Sequence, residues 1–150
     1  MENFCAPVPE YTQEAGDSQR QAMTQPHVYW TLEAPYATIL GLYTNVPEGG
    51  QLDPYQIAWL KEEMRTAPKE KALIVAMHHP IYSLDSHHSG SAYLHAILDN
   101  AMQETKRLPD LVLAGHVHNY QRFTRRYDGK TEIPYIVAGA GGYFHRHQMH

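Results

Sequence analysis

The chain has 150 residues, 43% of them hydrophobic, and a formal net charge of −4. That is enough to bury one core, and it excludes both a disordered chain and bulk attraction to nucleic acid or an anionic membrane. Its 12 Lys and Arg residues form no run longer than Arg125-Arg126, and the single cysteine, Cys5, rules out an intrachain disulfide and a cysteine-based zinc cluster.

The first 26 residues are polar and irregular, with Pro7, Pro9, Gly16 and Pro26 among Gln, Glu, Ser and Thr. They read as a loop-like segment ahead of a domain over 27–150. Met1 to Pro7 lacks a basic region followed by an apolar stretch, and no run approaches the roughly 18 apolar residues of a membrane helix. The default expectation is therefore a cytoplasmic protein without a membrane partner. Val28 to Leu32 and Tyr36 to Tyr43 are rich in β-branched and aromatic residues and predict two pairing strands, joined tightly through Ala34-Pro35. Asp53 as N-cap and Pro54 at the first helical position open a helix with Ile57, Leu60 and Met64 on one face, closed by Pro68. A strand at 72–77 follows, then a loop with Pro80, Ser83, Asp85, Ser86, Ser89 and Gly90. A second amphipathic helix carries Leu94, Ile97, Leu98, Ala101 and Met102, and Pro109 prevents its continuation. A strand at 111–114 comes next. Tyr120 to Tyr127 and Thr131 to Val137 form a hairpin around Asp128-Gly129. Strand, helix, strand, helix, strand predicts an α/β layer with an antiparallel addition.

The chemistry lies in the histidines, of which there are 11. His78 directly follows the apolar run Leu73-Ile74-Val75-Ala76-Met77, and His116 and His118 follow Leu111-Val112-Leu113-Ala114 across Gly115. Buried strands that deliver imidazoles from their carboxyl ends place them where α/β proteins build sites. Imidazole is the commonest metal ligand and the usual proton shuttle near neutral pH, so this pattern points to metal chemistry. His116 and His118, two apart, can project to one side and serve one ion or two adjacent ions. Successive strand residues alternate faces, so His78 is the expected ligand and His79 a packing or supporting residue. A solvated loop is the bland reading of His87-His88. His145, His147 and His150 are potential chelators in a terminal segment, His27 is a strand-edge residue and His95 a helix-surface one. Tyr120 and Tyr143 are lining candidates, though with 11 tyrosines the structural reading is safer. Arg122, Arg125 and Arg126 read as a solvated strand face.

Ala76-Met77-His78-His79-Pro80 and Gly115-His116-Val117-His118-Asn119-Tyr120 resemble the fourth and fifth blocks of the calcineurin-like metallophosphoesterases, and within them the purple acid phosphatase branch. His87 and His88 are similar to the histidine pair that this branch carries for substrate contact and leaving-group protonation. The resemblance implies metal-dependent hydrolysis of phosphoesters. It implies His78 and His116 on a second metal and His118 on a first, with His87 and His88 catalytic and iron, manganese or zinc as the ion. Tyr135-Ile136-Val137-Ala138-Gly139-Ala140-Gly141-Gly142 looks like the strand and glycine turn that pass close to the site in this family. The implied fold is an α/β partial β-sandwich flanked by helices, half of a four-layer α/β/β/α domain.

The family's first three blocks, Asp-x-His, Gly-Asp-x-x-Asp/Tyr and Gly-Asn-His-Asp/Glu, are not found before His78. Gly16-Asp17-Ser18-Gln19-Arg20 has Arg where an acid or tyrosine belongs, and Asp85-Ser86-His87 lies on the wrong side of His78. The expectation is an incomplete catalytic domain whose partners are a phosphoester substrate and either a complementing N-terminal half or a second copy paired along an exposed sheet edge. The alternative is a catalytically inactive metal-binding or interaction fragment.

Overall fold

The computed structural model describes residues 28–45 and 50–141. The chain divides into two units, Met1–Trp30 and Thr31–His150, and the architecture below belongs to the second. The expectations for the 1–26 segment, His27, Tyr143 and the three terminal histidines lie outside the described residues, as does Gly142 of the glycine turn.

The elements run β1 (Trp30–Glu33), β2 (Ala37–Gly41), α1 (Pro54–Thr66), β3 (Ala72–Met77), α2 (Ala92–Thr105), β4 (Leu111–Ala114), β5 (Tyr120–Tyr127) and β6 (Thr131–Ala138). They form one six-stranded sheet of order β1-β2-β3-β4-β6-β5. β2, β3, β4 and β6 are parallel, and β5 runs antiparallel to β6. Parallel neighbours need crossovers, and α1 and α2 supply those from β2 to β3 and from β3 to β4. This mixed α/β arrangement is the class expected from the order of predicted elements.

Helix α1 starts where Asp53 accepts hydrogen bonds from the Tyr55 and Gln56 N–H groups, satisfying donors the helix itself leaves unpaired. Its Leu60 and Met64 are buried with Leu94, Leu98, Ala101 and Met102 of α2 and with alternate residues of β3, Leu73, Val75 and Met77. Gln56 is buried as well, an unexpected residue for a helix face. Its Oε1 accepts from the Tyr43 N–H at 2.7 Å and its Nε2 donates to the Tyr43 carbonyl at 3.2 Å. The amide thus pins the segment that leaves β2, which ends at Gly41 rather than at Tyr43. Helix α2 is capped by Ser91, and it stops at Lys106 in a left-handed conformation (φ 56°), three residues before Pro109.

The hairpin turns where expected. Asp128 (φ 52°) and Gly129 (φ 76°) both take positive φ, and the Lys130 N–H closes onto the Tyr127 carbonyl at 3.2 Å. The arginines of β5 divide. Arg122 and Arg126 are exposed, but Arg125 turns to α2 and makes a two-point ion pair with Asp99, one N···O distance being 2.8 Å. The expected solvated face therefore holds for two of the three, because Arg125 shares its side of the strand with Phe123 and Tyr127, which pack on the core.

A candidate metal and phosphate site at the carboxyl ends of the strands

Strand register alone brings the site together. Gly41 pairs with Ala76, Met77 with Ala114, and Ala114 with Val137, so the segments leaving β2, β3, β4 and β6 emerge side by side. Just past β3 and β4 the Gly115 N–H donates to the His78 carbonyl at 3.0 Å. His116 then adopts φ 60° in a three-residue turn closed by the Val117 N–H on the Gly115 carbonyl at 2.6 Å. A left-handed non-glycine residue is strained and is retained where the surroundings fix it. Here it directs the imidazole at His78, with His116 Nδ1 3.0 Å from His78 Nε2.

His79 joins them. Ligand atoms of His78, His79 and His116 all lie within 4.8 Å of one another, and the His79 and His116 ring centroids are 4.5 Å apart. The alternation argument expected one of His78 and His79 to face away. It fails because β3 ends at Met77 and Thr44 gathers both following residues. Its Oγ1 accepts from the His78 N–H at 3.2 Å and the His79 N–H at 3.0 Å. His118 lies near enough for its charge to depress the affinity of His78 and His116 for protons, although its nitrogens do not belong to the group of three.

His87 and His88 reach the same place from the 80–91 loop. Asp85, whose side chain is fully buried, accepts through Oδ1 from the His87 N–H at 2.9 Å and the His88 N–H at 2.7 Å, and its Oδ1 is 3.2 Å from His88 Nδ1. Main-chain bonds close the loop, Ser91 N–H donating to the Pro80 carbonyl at 2.9 Å. Gly90 packs so tightly that a Cβ there would stand 2.3 Å from the Ile81 carbonyl oxygen. The His88 ring ends 4.8 Å from that of His116. His79, His87, His88 and His116 line a pocket of about 350 Å³ together with Ser89, Gly90 and Ser91. Tyr120, a lining candidate by sequence, is exposed and is not among the residues of that pocket. His95 sits instead between Tyr82, whose hydroxyl is 3.1 Å from its Nε2, and Asp99 at 3.5 Å.

Thr44 and Asp85 were not singled out by sequence as site residues. Asp85 had a signal, since an aspartate two and three residues before the N–H groups of a Ser/His loop is an Asx-turn pattern. Thr44 had none, because its role comes from strand register.

Burial, and then the neighbouring His79, His78, His88 and His118, lower the His116 pKa from 6.5 to about 4, and burial first also lowers those of His78 and His79. The imidazoles are therefore neutral at pH 7 and offer lone pairs. Two such nitrogens 3.0 Å apart are spaced to share a proton or a cation, and the donor set suits iron, manganese or zinc. A linkage follows. The unfolded chain binds a proton at His116 near pH 6.5 and the folded chain only near 4, so stability is full above about 6.5 and falls as pH drops toward 4. Urea unfolding of metal-free chain at pH 7 and pH 5 should show this loss, and His116→Gln should reduce it.

Residues 26–120 match the family of calcineurin-like phosphoesterases. The chain belongs to this family. As a calcineurin-like phosphoesterase it is 30% identical over 130 residues to purple acid phosphatase 21 of Arabidopsis thaliana, a match covering 81% of this chain and 28% of that protein. Its fold is similar to that of the purple acid phosphatase PPD1 of yellow lupin seeds, with a TM-score of 0.68 at 17% identity, over 86% of this chain and 25% of that one. It is also similar in fold to GAP50, described as the anchor in the inner membrane complex of Plasmodium, with a TM-score of 0.54 at 21% identity over 85% of this chain and 42% of that one. The chain spans about a quarter of the length of the purple acid phosphatases it matches. No helix among the described residues is long and apolar enough to cross a membrane.

Proposed function

We propose that this chain supplies the histidine side of the catalytic site of a metal-dependent phosphoester hydrolase. The observation that carries the reading is the 3.0 Å approach of two neutral imidazole nitrogens, His78 Nε2 and His116 Nδ1, at the edge of a pocket lined by three more histidines. His78 and His116 would hold one ion, with His118 directed to a neighbouring one. Bound metal supplies Lewis acidity and positive charge toward the phosphoryl oxygens. His87 and His88 do the work on the substrate. Asp85 accepts from His88 Nδ1–H, which leaves Nε2 toward the pocket to bind a phosphoryl oxygen or, when protonated, to give its proton to the leaving oxygen.

The histidine group contains no carboxylate among the described residues. Two cations a few Å apart repel strongly unless a bridging anion offsets them, so a second chain or segment bearing carboxylates completes the site in this reading. The same observation favours a second reading, a catalytically inactive metal-binding or interaction fragment, and GAP50, which is similar in fold, is described as an anchor.

Turnover of a chromogenic phosphate ester separates the two. The metal-loaded chain should be slow alone and faster once a carboxylate-bearing N-terminal half of a purple acid phosphatase is added. In the complemented enzyme, His87→Ala or His88→Ala should lower kcat by roughly 10²–10⁴, the range for a lost general acid, and leave metal content unchanged. Equal loss of metal would make these histidines ligands, and no turnover with any half would leave the inactive reading.

A further inference from the structure

Gln121 stands on the side of β5 that also carries Phe123, Arg125 and Tyr127, and it is buried, with 4% exposure. A buried amide needs partners for its carbonyl and its two N–H groups. Here Oε1 accepts from the Leu84 N–H at 2.7 Å, while Nε2 donates to Asn119 Oδ1 at 2.9 Å and lies 3.4 Å from Ser83 Oγ. A backbone N–H can only donate, so Leu84 settles which end of the amide is the oxygen.

These partners lie on the two segments that carry the site histidines. Ser83 and Leu84 stand just ahead of Asp85 in the loop that bears His87 and His88, and Asn119 ends the turn that bears His116 and His118. The two segments are held differently. Main-chain bonds tie the turn to the sheet, the Gly115 N–H on the His78 carbonyl at 3.0 Å and the Gly139 N–H on the Asn119 carbonyl at 3.2 Å. The bonds at Asp85, the Leu84–Ser89 bridge and the bond from Ser91 to Pro80 all run within the loop and set its shape. The bond from Leu84 to Gln121 sets its place, against β5 and, through Asn119, against the turn.

We infer that Gln121 is a positioning residue that clasps the His87-His88 loop to the His116-His118 turn, so that an anion held by the histidine pair is presented to the cation site at His78 and His116. The inference rests on the proposed role of His87 and His88 for the identity of the anion, a phosphoryl group, while the clasp rests on the hydrogen bonds alone. Placement matters because a hydrogen bond weakens steeply outside its narrow range of distance and angle. Three substitutions separate the parts of the clasp. Methionine fills the same space but leaves the Leu84 N–H without an acceptor. Asparagine keeps an amide and is one methylene too short to hold Leu84 and Asn119 together. Glutamate spans the same distance and accepts from Leu84, and both the Ser83 hydroxyl and the Asn119 amide can turn to donate to it.

The test follows two quantities in the full chain at pH 7. One is the nuclear Overhauser contact between the ring protons of His88 and His116 in metal-free protein, where the ring centroids are 4.8 Å apart. The other is the affinity of the zinc-loaded chain for inorganic phosphate. Gln121→Met should lose the ring contact and weaken phosphate binding roughly tenfold, as for one hydrogen bond to a charged group, with zinc affinity near that of the parent because main-chain bonds hold the turn. Gln121→Asn should do the same, whereas Gln121→Glu should keep the ring contact and most of the phosphate affinity. A lower urea midpoint with ring contact and phosphate affinity unchanged would overturn the inference and make Gln121 a structural residue, as would zinc and phosphate affinities that fall together. A parent chain that binds no zinc or no phosphate would count against the phosphoester reading, and the ring contact would still decide whether Gln121 places the loop. If Gln121→Met does not fold, Gln121→Asn set against Gln121→Glu gives the same decision, since each keeps a polar group at the buried position.

Discussion

His116→Ala is expected to lower the chain's affinity for zinc at pH 7 by at least about a hundredfold, beyond the roughly 10–100-fold cost of losing an outer partner of a metal ligand. The size follows from geometry. His116 contacts His78 at 3.0 Å and stacks near His79 and His88, so its ring stands at the centre of the histidine group. Removing it leaves His78 without its facing nitrogen, and the remaining imidazoles cannot close the gap because Thr44 and Asp85 hold theirs. Alanine keeps the Cβ that makes the left-handed conformation costly, so the backbone strain at position 116 remains and stability should change little. Metal affinity should therefore fall while stability stays near that of the parent. A competition titration with a chromogenic zinc chelator, read beside urea unfolding, checks both. A loss of stability as large as the loss of zinc would make His116 a structural residue.

Gly139→Ala should be one of the most damaging single methyl additions among the described residues. A Cβ at Gly139 would stand 2.1 Å from the carbonyl oxygen and 2.8 Å from the carbonyl carbon of Val117, whose side chain is fully buried. The Gly139 N–H also donates to the Asn119 carbonyl at 3.2 Å, so β6 and the 115–119 turn are locked together at this point. Neither backbone can retreat cheaply. Overpacking of this kind costs about 1–3 kcal/mol, and the displaced Val117 carries His116 and His118 on either side. We expect a lower urea midpoint together with a zinc affinity reduced nearly as far as in His116→Ala. Gly141→Ala is the control, since a Cβ there meets nothing within 4 Å. Equal effects at both glycines would mean that the contact with Val117 does not matter.

The parts of this structure legible in the sequence are those set by local pattern. The apolar runs that became β3 and β4 were bounded correctly because the histidines that follow them cannot continue a buried strand, and the Asp128-Gly129 turn was readable because its two positions require positive φ. Convergence of His78 and His116 followed from placing both at the carboxyl ends of parallel strands. What could not be read was set by register between strands distant in sequence. Thr44 reaches His78 and His79 only because Gly41 pairs with Ala76, and no property of Tyr43-Thr44-Asn45 announces it. His79 was misplaced for a related reason, the alternation rule being carried one residue past the end of its strand. Gln56 shows the limit of helical periodicity, since a polar residue may be buried on a helix when two backbone groups elsewhere require it.

The central claim is that His78 and His116 share one metal ion, and X-ray absorption at the zinc edge tests it most directly. The full chain loaded with one equivalent of zinc at pH 7 should show two or three imidazole nitrogens at about 2.0–2.1 Å, with oxygen completing the shell, and His78→Ala should lose one of them. A shell of oxygen atoms alone, or an imidazole shell unchanged by both His78→Ala and His116→Ala, would contradict the account.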